Sequence, residues 1–378
     1  MWYLIGMNKR ILIGCSHVPG WGGPGTASYP LFEMMQSDGL DVVFINFVSG
    51  KDYDNLSKKF GNGLGNPKAL SNVHTFIIDN YINLSFQNSH LSAFLEDLSP
   101  DIIIGITWRA AFLMKRAAPQ KTLIFLPSGS LSLKTYLRKS QVKSFVEVQK
   151  KLLNSGLDGF EPNVIENEAV KISDLTITHS ESILFLFKHL FPNLNDKIYP
   201  EILWWTEWTC SEALKYSHFK KPFEERDIDL LFVTNDWTRP EKNYRMMKEI
   251  IKMCNDLDIH IVGEINERPD RAILHNFIAR QKDLFHLMGR AKVLVSPSLF
   301  DASPGILYEA AVLGCNLVVS KNCGNWRICN DNLLVHTFNA NSFLKKIDLA
   351  VKQKFTDNLD FFIQSKSYQK LKNVIAEF

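Results

Sequence analysis

The sequence predicts an α/β protein made of two doubly wound parallel units, and three observations carry that expectation. Strands covered on both faces read as near-continuous apolar runs, and such runs recur at 9–14 (KRILIG), 41–47 (DVVFINF), 101–106 (DIIIGI), 122–126 (TLIFL) and 175–178 (LTIT). The opening order is strand, glycine-rich loop (VPGWGGPG), helix (TASYPLFEMMQSDG, ending at Gly39) and strand, which is how a doubly wound parallel sheet begins. The same order restarts at Asp229.

In that second unit, 229–233 (DLLFV) reads as a strand, 235–243 (NDWTRPEKN) as a polar loop and 244–257 as a helix, followed by strands at 259–263, 292–298 and 316–320. The domains are therefore expected at 1–200 and 201–340. Two helices should follow at 341–378, packing back toward the first domain. The boundary falls near 198–210 (IYPEILWWTEWTC), where Trp204, Trp205 and Trp208 are read as aromatic packing between domains rather than as a ligand platform.

Composition supports a folded chain: 378 residues with 46% hydrophobic content can bury a core in each of two domains. Forty-three basic against 40 acidic residues give a net charge of +3, which argues against a nucleic-acid binder. Six cysteines without Cys-x-x-Cys or paired histidine spacing suggest neither a zinc site nor a disulfide framework, so a reduced, cytoplasmic protein is expected. No run is long enough to span a bilayer, and MWYLIGMNKR lacks the apolar core and cleavage site of a secretory signal. The sequons at Asn55 and Asn83 are then read as chance.

The stretch that carries most chemistry is 296–320, SPSLFDASPGILYEAAVLGCNLVVS. Ser303 is expected to cap a helix that starts at Pro304, a position where the missing N–H costs nothing, and Gly314 to close it. Its free N–H groups within Ser303 to Ile306, those of Ser303, Gly305 and Ile306 because Pro304 has none, would face the carboxyl edge of the sheet, where phosphates bind in such folds. Glu309 falls in the middle of that helix and Asp301 in the loop before it.

This segment resembles the donor-binding motif of retaining family 4 glycosyltransferases of the GT-B fold, two Rossmann-like domains facing a cleft. In that motif two acidic residues flank seven others ahead of a Gly-terminated helix of small residues; Asp301 takes the first position, usually Glu, and Glu309 the second. The resemblance implies that Glu309 holds the ribose hydroxyls of the nucleotide. It also implies that Asp301, with the following amides, holds the donor sugar. A carboxylate suits vicinal hydroxyls because it accepts from both at once. The loop 231–243 resembles the family loop that neutralises the donor diphosphate, with Arg239 and Lys242 as the cations, although many members place the Arg where this chain has Asn235. Residues 19–25 look like the family glycine loop, where Gly22 and Gly23 would let backbone approach the donor phosphate. Residues 166–180 and 258–264 resemble the end of the acceptor domain and a nucleotide-domain strand. Where members often carry a histidine after the strand matching TLIFL, this chain offers Ser128, with His17 as a stand-in.

Residues 131–156 hold Lys134, Arg138, Lys139, Lys143, Lys150 and Lys151 against Glu147 alone. A basic helix there fits contact with anionic lipid or an acidic acceptor, and equally a solvated face. The expectation is a retaining transferase that moves a hexose-type sugar from a nucleoside diphosphate, such as a UDP- or GDP-sugar, to a glycan or lipid-linked acceptor. It would need neither cofactor nor metal. A sugar-nucleotide epimerase and a noncatalytic sugar-nucleotide or glycan-binding protein are the alternatives.

Overall fold

The computed structural model describes residues 9–17, 22–50, 72–78, 89–139, 144–154, 160–200, 202, 204–276, 278 and 280–378. The first sheet contains β1 (Arg10–Cys15), β2 (Asp41–Val48), β3 (Val73–Ile77), β4 (Ile102–Ile106), β5 (Thr122–Leu126), β6 (Leu175–Ile177) and β7 (Ile198–Tyr199), in the order β3-β2-β1-β4-β5-β6-β7. The second contains β8 (Ile228–Asp236), β9 (Ile259–Glu264), β10 (Ile273–His275), β11 (Ala291–Ser296) and β12 (Asn316–Val319), in the order β10-β9-β8-β11-β12. All pairings are parallel. Each order reverses at its first strand: β1 lies between β2 and β4, and β8 between β9 and β11. Two doubly wound sheets are thus present, as the apolar runs predict.

The central strands are the runs named above because both of their faces are covered; Ile11, Leu12, Ile13, Ile103 and Ile104 are fully buried. Three strands escape that reading. β3 alternates between partly buried and exposed positions, while β7 and β10 have two and three residues. All three are edge strands, buried on fewer sides, so their sequences carry no apolar run.

The compact units do not follow chain order. One comprises Met1–Ser132, Glu161–Trp205 and Tyr368–Phe378, the other Leu133–Phe160 and Thr206–Ser367. Residues 133–160, expected within the first domain, belong to the second unit. Phe145 explains why: it is fully buried against Phe300, with ring centroids 4.8 Å apart, and its amide donates to the Leu299 carbonyl at 3.1 Å. The carboxyl-terminal region forms three helices rather than two, Ala340–Ala350, Leu359–Ile363 and Ser367–Ala376. Only the residues from Tyr368 onward join the first unit. There the Tyr368 hydroxyl and the Lys372 ammonium donate to Asp38 Oδ2 at 2.9 and 2.5 Å.

Two features of the first unit stand out. The buried Glu166 carboxylate accepts from the Leu131 and Ser132 amides at 2.8 and 3.0 Å and from the Ser130 hydroxyl at 3.1 Å, so it stoppers the positive end of the Leu131–Lys139 helix. Burial pushes its pKa up, and these hydrogen bonds pull against that rise. At the strand-order reversal, Thr107 holds φ at +108°, an unusual conformation for a β-branched residue. Its hydroxyl meets the Ser16 hydroxyl at 2.8 Å and accepts from the Ala110 amide at 3.4 Å.

All six cysteines are free and buried. Among the described residues, no helix is long and apolar enough to cross a membrane. Asn55, Asn83 and residues 18–21 of the glycine-rich stretch lie outside the described residues.

Candidate functional site

Open doubly wound sheets bind ligands outside the carboxyl ends of the strands where strand order reverses. In the second unit these are β8 and β11, and the loops leaving them contain Arg239, Lys242 and Asp301. Backbone hydrogen bonds tie the two loops together: the Leu299 amide donates to the Glu241 carbonyl at 2.8 Å, and Asn243 Nδ2 donates to the Pro297 carbonyl at 3.1 Å.

The loop after β8 is anchored by Trp237, which is 3% exposed. Its indole N–H donates to the Val262 carbonyl at 3.0 Å and its amide to the Glu264 carbonyl at 2.9 Å. The close approach requires glycine at 263, where φ is +127° and an added Cβ would lie 2.0 Å from the Thr234 carbonyl oxygen. Asn235, the alternative family position for the Arg, is exposed at the end of β8.

Beyond Trp237 the charges interlock. Lys242 Nζ is ion-paired to Asp301 Oδ2, the two side chains being only 15% and 17% exposed. Arg239 donates from Nε and Nη2 to Glu241 Oε1 at 3.0 and 2.7 Å. Burial pushes the Glu241 carboxyl up, but the Arg239 charge and hydrogen bond, helped by Lys134, outweigh it and hold the pKa below the usual value. Lys134 Nζ, on the Leu131–Lys139 helix, lies 4.0 Å from the same Glu241 oxygen. Burial lowers the Lys134 pKa and Arg239 lowers it further, against the pull of Glu241 and Asp301.

Asp301 is fixed by backbone as well: its amide donates to the Asn322 carbonyl at 2.9 Å and its carbonyl accepts from the Gly324 amide at 2.8 Å. The helix that follows runs Gly305–Val312, one residue later than expected. Pro304, with φ −68° and ψ 116°, is therefore the N-cap rather than the first helical residue, and no side chain caps the helix. Ser303 does not perform the predicted capping; its hydroxyl is buried without a partner among the described residues. The Pro304 carbonyl instead accepts from Asn325 Nδ2 at 3.0 Å. Proline at the N-cap offers no side-chain acceptor, so the amides of Gly305 and Ile306 open the helix without one. Gly314, at φ +82°, ends the helix, and Arg226 Nη2 donates to the Leu313 carbonyl at 2.9 Å.

Glu309 sits mid-helix as predicted, but it is not the solvated carboxylate that a surface helix position would give. It is partly buried, and desolvation pushes its pKa up to about 7, opposed by a hydrogen bond from Gln281. Gly22 and Gly23, expected in a loop, form the first turn of the Gly22–Ser37 helix in the first unit. His17 and Ser128 follow β1 and β5 in that unit.

The second unit thus brings together Arg239, Lys242 and Asp301, and adds Glu241 and Lys134, which sequence reasoning did not single out. Glu241 had a signal, since it stands between the two chosen cations in RPEK. Lys134 is far away in sequence and had none. Among the described residues, no three His, Cys, Asp or Glu side chains gather as a metal site.

No protein-family model matches the sequence, and no curated protein matches it. Solved structures do. Sucrose-phosphate synthase from Thermosynechococcus elongatus superposes with a TM-score of 0.67 at 13% identity, covering 98% of each chain. The chain has the GT-B fold. Anabaena HepE in complex with UDP gives a TM-score of 0.57 at 12% identity, over 98% of this chain and 100% of that one. UDP-GlcNAc 2-epimerase from Methanocaldococcus jannaschii gives 0.53 at 13%, again over 98% and 100%. At these identities the likeness is one of fold, in keeping with the two doubly wound parallel sheets.

Proposed function

We propose that this protein is a glycosyltransferase that takes a hexose-type sugar from a nucleoside diphosphate and passes it, with retention and without a metal, to a glycan or lipid-linked acceptor. The observation that carries the reading is the convergence of Arg239 and Lys242 at the reversal of the second sheet, beside a helix whose amides no side chain caps. Cations and free amides at that place suit a diphosphate. A GT-B neighbour with UDP bound supports the same ligand class.

In the reaction the bond from the anomeric carbon to the phosphate oxygen breaks and a bond to the acceptor oxygen forms. The acceptor hydroxyl loses its proton, and the nucleoside diphosphate leaves with additional negative charge. Arg239 and Lys242 stabilise that charge, Asp301 orients Lys242 and faces the sugar, and Glu309 accepts from the ribose hydroxyls. Leu153, 65% exposed beside Lys150 and Lys151 on the Phe145–Asn154 helix, favours a peripheral approach to a lipid or acidic surface.

The second reading is an epimerase, favoured by the epimerase that shares this fold. Incubation with a panel of nucleoside-diphosphate sugars separates them. A transferase hydrolyses its donor slowly when no acceptor is present, and an epimerase returns an isomeric sugar nucleotide. Binding without turnover would indicate a noncatalytic protein, and a chain that binds no nucleoside diphosphate at all refutes the proposal.

A further inference from the structure

The charge cluster of the second unit holds three cations and two carboxylates. Lys242 is taken by Asp301, and Arg239 by Glu241 through two hydrogen bonds to Oε1. Lys134 is left at 4.0 Å from that same oxygen, beyond hydrogen-bonding distance. Glu241, only 5% exposed along its side chain, is held by Arg239 rather than by Lys134. The Lys134 ammonium therefore makes only a long ion pair with a carboxylate oxygen that Arg239 already holds, on a side chain that keeps 36% exposure. A flexible four-carbon stem carrying a point charge can move such a group a few ångströms toward an arriving anion.

We infer that Lys134 is a third phosphate-binding cation of this site, contributed by the Leu131–Lys139 helix and drawn from its loose position beside Glu241 onto a bound diphosphate. The inference rests on the nucleotide-sugar reading and extends it. A structural salt bridge would place the ammonium on a free carboxylate oxygen in bonding geometry. Instead the nearest one already serves Arg239. An ammonium that is partly dehydrated beside Arg239 and only weakly paired is unfavourable, which fits the lowered pKa of Lys134. An anion with several oxygens removes that cost, because it adds acceptors for all three cations at once.

Titration calorimetry with inorganic pyrophosphate, and separately with UDP, GDP and ADP, tests the assignment on the full chain. Lys134→Met should weaken binding of pyrophosphate and of the preferred nucleotide roughly tenfold or more. Lys134→Arg should recover most of the affinity, and Lys252→Met, which removes an exposed cation elsewhere in the unit, should leave it unchanged. Should Lys134→Met fail to fold, Lys134→Gln replaces it. If Lys134→Met binds like the wild type while Arg239→Met does not, Lys134 has no phosphate role and the nucleotide-sugar reading stands. Failure of Lys134→Arg to recover binding, with its melting temperature intact, would overturn the charge assignment. Wild-type protein that binds neither pyrophosphate nor any of the three nucleotides would overturn both.

Discussion

Lys242 and Asp301 form an ion pair that joins the loop after β8 to the loop after β11, with both side chains more than four-fifths shielded from solvent. The pair keeps a cation poised at the strand-order reversal. It also makes each partner costly to remove alone, since the other stays charged and poorly solvated.

Lys242→Met and Arg239→Met should therefore each lower kcat more than they lower affinity for the free nucleoside, which lacks the diphosphate. The double variant should lose less than the two single losses combined, because both cations are proposed to act on one leaving group. Steady-state kinetics with the donor identified from the panel decides this. Wild-type kcat in both single variants would assign the cations to structure alone.

The proposed ribose contact of Glu309 would tie activity to pH. At pH 8 its carboxylate is mostly charged, and Glu309→Gln should reduce kcat/KM for the donor roughly ten- to a hundredfold, the worth of one charge-assisted contact. At pH 5.5 Glu309 is already protonated, so the gap should narrow. A constant ratio across this range would remove the ribose role.

The same residue governs stability. Its folded pKa of about 7 lies above the ordinary 4.5, so the unfolded chain gives up the proton first. Stability must then fall as pH rises from about 4.5 to about 7, with the full penalty present above that window. Glu309→Gln should raise the stability of the unliganded protein at pH 8 by on the order of 1 to 3 kcal/mol and leave it unchanged at pH 4. Denaturant midpoints at the two pH values measure it; identical shifts would place the carboxylate in water.

Turnover should survive EDTA, since Arg239 and Lys242 are proposed to do the work of a divalent ion. Loss of activity that manganese or magnesium restores would count against that assignment.

Gly263→Ala should destabilise the protein by about 2 kcal/mol or more and weaken donor binding, because the methyl group drives into the Thr234 carbonyl at the root of the Arg239 loop. Urea unfolding and nucleotide titration of the same sample report both effects. Wild-type values for both would mean that the strand shifts freely.

Much of this was legible because central parallel strands must be apolar on both faces, so β1, β2, β4, β5, β8 and β11 announce themselves. The cations of RPEK and the acids of 301–309 were legible as types at characteristic spacing. What was hidden depended on distant contacts. The one-residue delay of the 305–312 helix goes with the extended Pro304, whose carbonyl accepts from the distant Asn325, and the partial burial of Glu309 with neighbours such as Gln281. Lys134 reads as one of six cations on a basic helix until Phe145 is seen buried against Phe300, which accounts for residues 133–160 joining the other unit.

The bonds from Lys372 and Tyr368 to Asp38 have a further consequence for biosynthesis. Asp38 and Lys372 are 334 positions apart, and the entire 206–367 stretch is translated between them. The first sheet can begin to form early, but this seam cannot close until the second unit has been made. Such long-range closure slows folding and prolongs exposure of unfinished surface. The nascent chain therefore carries an incomplete first unit throughout synthesis of the second.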